Sequence, residues 1–69
     1  MELYEKIKEF AAINPAPMHL GTYLKQSKKV CEIYYALASL EGVENFEEAE
    51  KRENELNSEM TEILNHWRK

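Results

Sequence analysis

Apolar residues recur along the chain at steps of three and four in three stretches, and nowhere do they alternate every second residue as in a half-buried strand. The first stretch, Glu2 to Ile13, sets Leu3, Ile7, Phe10 and Ala11 on one face and Glu2, Glu5, Lys6, Lys8 and Glu9 on the other, the pattern of a short amphipathic helix. Asn14-Pro15-Ala16-Pro17 ends it, because the residue before a proline is pushed out of helical geometry and neither proline donates a backbone hydrogen bond.

The second helix is expected to begin between Pro17 and Thr22 and to run to about Glu41, ahead of Gly42. Thr22 is an acceptable N-cap, and Gly21 argues against an earlier start. Leu20, Tyr23, Val30, Tyr34, Leu37 and Ala38 form the centre of its apolar arc, flanked by Leu24, Cys31 and Tyr35 on one side and by Ile33 and Leu40 on the other. An arc this wide implies contact with more than one neighbour.

The third helix has the clearest start. Asn45-Phe46-Glu47-Glu48 reads as a capping box, in which Asn45 accepts from the backbone of Glu48 and Glu48 reaches back. Phe46, Ala49, Glu53, Leu56, Met60, Ile63 and Trp67 then follow at alternating steps of three and four, a heptad seam whose ordinary meaning is packing. The connection around Gly42-Val43-Glu44 is so short that the second and third helices must fold back as an antiparallel hairpin.

Folding about that loop sets Leu20 against Trp67, Tyr23 against Ile63 and Leu64, Ser27 against Met60, Val30 against Leu56, Tyr34 against Glu53 and Leu37 against Ala49. Glu53 on a core seam needs a partner, for which the Tyr34 hydroxyl, Arg52 and solvent are the candidates. The first helix is expected across the hairpin near Ile33, Leu37 and Leu40. The predicted fold is therefore all-α: a three-helix bundle in a single domain spanning 1–69, with a short N-terminal helix (about 2–13) packed on a long antiparallel helical hairpin (about 19–41 and 45–68).

Length sharpens this picture. A chain of 69 residues buries only about 60% of the surface it exposes when unfolded. Its one cysteine, Cys31, cannot close an internal disulfide, and no Cys/His spacing suits zinc, so neither staple is available. Stability must come from packed helices or from a partner subunit, and the wide arc of the second helix makes a two-fold homodimer the simplest expectation.

No apolar run approaches the ~18 residues of a membrane span, and Met1-Glu2-Leu3-Tyr4-Glu5 has neither the basic start nor the apolar centre of a secretion signal. A cytoplasmic location without membrane attachment is the expectation. All thirteen acidic residues are Glu, which suits helices, and the formal net charge is −4.

Charge is unevenly placed. Residues 41 to 55 hold seven Glu against Lys51 and Arg52, a net of −5, with Glu41, Glu44, Glu47, Glu48 and Glu55 as candidate contacts to a basic partner. The antiparallel fold collects Lys25, Lys28, Lys29, Arg68 and Lys69 at the opposite end, beside His19, His66 and Trp67. Capping of helix dipoles explains charge at both ends of the third helix, but not three lysines in the first half of the second, where cations are disfavoured.

Chemistry beyond binding finds little footing. Cys31 sits on the apolar arc, where a thiol is usually inert packing. Glu59, Glu62 and His66 share a face, but Glu62 and His66 are four apart and lack the supplementary Glu residues of a carboxylate-bridged metal pair. Small all-helical enzymes of the chorismate mutase kind hold their anionic substrates with several buried arginines, and here there are only Arg52 and Arg68, far apart on one helix. The expectation is a non-enzymatic protein with no cofactor and no metal.

The function expected is a small acidic protein-interaction module acting as a regulator or inhibitor of an unidentified partner protein. Its contact surface would be either the Glu-rich end or the apolar arc with Ile33, Tyr35 and Leu40. Small acidic helical proteins of this size include bacterial and phage regulators that occupy a basic, nucleic-acid-binding surface, and the association shapes the expectation. The alternative is a nucleic-acid accessory module using Lys25, Lys28, Lys29, Arg68 and Lys69, against which stands an overall field that repels phosphates.

Overall fold

The computed structural model describes residues 2–68. It contains three α-helices, α1 (Glu2–Ala11), α2 (Leu20–Ser39) and α3 (Phe46–Trp67), with single 3₁₀ turns at Pro17–His19 and Leu40–Gly42. No strand occurs among the described residues. The architecture is the expected three-helix bundle, drawn out to 44 × 19 × 15 Å by the length of the hairpin.

Helix boundaries follow local chemistry. α1 stops two residues before the expected Ile13, its last turn tightening as the Ile13 N–H donates to the Phe10 carbonyl at 3.1 Å ahead of Pro15. α2 starts earlier than a Thr22 cap would allow. Pro17 opens a 3₁₀ turn, which the His19 N–H closes onto the Ala16 carbonyl at 2.8 Å, and the helix continues from Leu20 through Gly21 with no side-chain cap. The Asn45 cap forms as expected, its side-chain oxygen accepting from the Glu48 N–H at 3.2 Å. The reciprocal bond from the Glu48 side chain is not among those of the described residues.

The core consists of Leu3 and Phe10 from α1, Val30, Ile33 and Leu37 from α2, and Leu56, Met60 and Leu64 from α3. α1 runs opposite to α2, with Tyr4 meeting Tyr34 and Phe10 meeting Tyr23, and in the same direction as α3. Its grip on α3 is partly polar. The Lys6 ammonium donates at 2.8 Å to both Asn57 Oδ1 and Thr61 Oγ1, and Glu9 takes a bidentate pair from Arg68 at 3.1 and 2.6 Å.

That docking corrects the heptad seam. With α1 on one flank of α3, the buried centre rotates from Ile63, which is half-buried, to Leu64, and Phe46 at the helix start stands 76% exposed because no helix covers it. The hairpin register also differs at its open end. Trp67 reaches Tyr23, ring centres 5.7 Å apart, and donates its indole N–H to Gln26, while the expected partner Leu20 is exposed. Long helical side chains lean toward the N-terminus of their own helix, so the ring covers the level of Ile63, where Tyr23 lies.

Glu53 is half-buried beside Tyr4, Leu37, Leu40 and Ala49. Neither expected protein partner reaches it: Tyr34 packs edge-on to Tyr4 and is exposed, and Arg52 bonds Glu55 at 3.0 Å. Solvent is the partner that remains.

Candidate interaction surface

α1 is half as long as α2, and an open groove of 310 Å³ lies between the two. Ile7, Phe10 and Ala11 form its α1 wall. The α2 wall is made by Tyr23, Ser27, Val30 and Cys31, with Tyr34 and Tyr35 at one mouth.

The floor is aromatic: the Phe10 and Tyr23 rings stack 4.7 Å apart and 10° from parallel. Its polar atoms are turned to internal use. The Tyr23 hydroxyl donates to the Phe10 carbonyl at 3.0 Å, and the Ser27 hydroxyl donates to the Tyr23 carbonyl at 2.9 Å. What faces outward is thus carbon, sulfur and tyrosine ring. At the mouth the rings form a ladder, Tyr4 to Tyr34 at 6.0 Å and Tyr34 to Tyr35 at 6.2 Å, each edge-on, with Tyr35 73% exposed.

The three residues named for the apolar arc separate. Ile33 is buried in the core, because α1 and α3 both close over that side of α2, and so it cannot contact a partner. Leu40 is half-buried against the core, and Tyr35 alone of the three is free surface. Cys31, read from sequence as inert packing, is exposed in the groove wall, because α1 covers the Val30 side of the arc and leaves the Cys31 side open.

The acidic end is as solvated as its composition implies. Glu41, Glu44, Glu47, Glu48 and Glu55 are all exposed, and of these only Glu55 has an ion-pair partner among the described residues, Arg52 at 3.0 Å. Glu47 and Glu48 occupy the first turn of α3, where the helix dipole favours them.

In the basic cluster two of the five residues are paired within the fold. Lys29 lies 3.7 Å from Glu59, and Arg68 is clamped by Glu9, whose hydrogen bond and charge together raise the guanidinium pKa above its ordinary value. Lys25 and Lys28 are exposed, and Lys69 lies outside the described residues. His19 and His66 both stand edge-on to Trp67, at 6.3 and 5.2 Å, making an aromatic corner of the end expected to attract anions.

One signal in the sequence runs along this side of α2: Leu20, Leu24, Ser27, Cys31, Tyr34 and Ala38 recur at steps of four and three, a second heptad of which Ser27, Cys31 and Tyr34 line the groove. No helix among the described residues is long and apolar enough to cross a membrane. No family model matches the chain, and no curated protein or solved structure shows significant similarity to it.

Proposed function

We propose that the protein is a cytoplasmic, non-enzymatic interaction module that regulates or inhibits a partner protein by receiving an apolar helix of that partner in the α1/α2 groove. The observation that carries this reading is the groove itself, where the Tyr23 and Ser27 hydroxyls are consumed by internal hydrogen bonds while its walls and tyrosine mouth stay open. Helix-in-groove recognition needs such a trough, with aromatic anchors that lose little conformational freedom on binding.

The carboxylates at the Glu41 to Glu48 end add long-range attraction toward a basic partner and raise the rate of encounter more than the final affinity. Pairing of Lys29 and Arg68 within the fold weakens the nucleic-acid alternative, for which Lys25 and Lys28 are the exposed cations without an ion-pair partner among the described residues.

A photo-reactive phenylalanine analogue at position 35, compared with the same group at position 48, tests the proposal in the cells that make the protein. Adducts to another protein from position 35 that persist in high salt are the expected result. Adducts only from position 48, lost with salt, would transfer the function to the acidic end, and adducts from neither would refute the module altogether.

A further inference from the structure

The outward side of α2 carries an apolar repeat that neither α1 nor α3 covers. Leu20, Leu24, Cys31, Tyr34, Tyr35 and Ala38 on this side are all exposed, and Ser27 between them is half-buried. A four–three repeat is the seam geometry for one further helix. Its flank is charged in a fixed order, Lys25 and Lys28 before Glu32, all three exposed.

That order decides how a copy of the same helix would lie. A parallel copy puts the two charged flanks on opposite sides of the seam, where Lys28 and Glu32 meet no opposite charge of the other chain. An antiparallel copy, with a two-fold axis passing beside Cys31, sets Lys28 of each chain against Glu32 of the other. In the same register Leu24 enters the space between Tyr34 and Ala38 of the second copy, and Tyr35 lies on the flank beside the second copy's Lys28. Leu24 thus meets the small Ala38, and Cys31 stands at the axis.

We propose that in the absence of its partner the face is covered by a second copy of this chain, α2 packed antiparallel on α2 over Cys31 and Tyr34 at the open side of the α1/α2 groove. The proposal rests on the reading of that groove as a docking surface. The seam from Leu20 to Ala38 is about 27 Å long and one helix wide, which puts the contact at the small, transient end of specific interfaces. The homodimer is therefore weak and exchangeable, and it competes directly with a partner helix: the free protein masks its own binding site, and the partner's concentration sets how much is unmasked.

Sedimentation equilibrium from low micromolar to millimolar concentration is expected to show a reversible rise from 8.2 kDa to twice that mass. Lys28→Glu and Glu32→Lys are exposed-site changes that leave the helix intact. Each alone should weaken the dimer by about tenfold, and an equimolar mixture of the two variants should restore it, because every like-charge contact becomes an opposite one.

Cys31 supplies an independent check. Helix axes 9–10 Å apart leave the two Cα atoms about 5–6 Å apart, within disulfide range, so diamide, which takes two electrons and two protons from the paired thiols, should give a covalent dimer that keeps its helical circular dichroism. Tyr35→Ser should slow that reaction. A chain of 8.2 kDa at every concentration, or single charge variants that dimerise as well as the unsubstituted chain, would overturn the proposal. If such a monomer still yields adducts to another protein from position 35, the docking function stands and only the self-masking fails. If position 35 captures nothing but a second copy, the dimer stands and the partner does not.

Discussion

Truncating Leu64 and Ile63 separately measures which of two adjacent residues the bundle is built around. Leu64 is 1% exposed and enclosed by α1 as well as α2, whereas Ile63 is half-buried on the flank of α3. Leu64→Ala removes three carbon groups, about 2.4 kcal/mol of transfer free energy at ~0.8 kcal/mol each, and leaves a cavity whose walls belong to three helices, for a total of ~3–4 kcal/mol. Ile63→Ala loses part of that transfer term at a site open to water, about 1–1.5 kcal/mol, with no enclosed cavity.

A domain of this length has roughly 3–10 kcal/mol in all, so the first change removes a large share of it and the second leaves a folded protein. Urea unfolding followed by helical circular dichroism, at one fixed protein concentration for all variants, gives both values. Should Ile63→Ala cost as much as Leu64→Ala, α1 is not docked on α3 as described, and the hairpin seam read from sequence is the true one.

Three further outcomes are expected. Glu53→Leu should be neutral or stabilising in the same unfolding assay, because solvent is the only partner of that carboxylate; a loss above about 1 kcal/mol would reveal a required hydrogen bond. Asn45→Ala should cost about 1 kcal/mol through loss of the cap on α3, while Asn45→Asp should preserve it. Reversing Glu44, Glu47 and Glu48 to Lys should leave the helical circular dichroism intact, while reducing the rate of association with the captured partner and its dependence on salt.

The three helices were legible because each signal was local: the prolines after Ile13, the Asn45 cap and the short turn at Gly42 act within a few residues. Leu56 and Met60 were also legible, since both lie at the centre of any face α3 turns toward α2. Leu64 was set opposite Tyr23 together with Ile63 but left off the seam, because its full burial depends on α1, which Lys6 ties to Asn57 and Thr61 more than fifty positions away. The candidate site had the same difficulty. Tyr35 could be named from the width of the arc, but Ile33 lies on the same arc and is buried, and only the placement of α1 separates the two. Cys31 and Ala11 were placed on apolar faces and read as packing, whereas both are exposed walls of the trough.

The bond from the Tyr23 hydroxyl to the Phe10 carbonyl joins the groove floor to the last turn of α1, just ahead of the proline-bounded connection. One wall of the trough is therefore a ten-residue helix too short to persist by itself. Its docking equilibrium and the filling of the trough are two halves of a single thermodynamic cycle. Whatever lodges there must slow amide exchange throughout residues 2–11, including amides it never touches, and by the same free energy any change that loosens this segment must weaken the lodger.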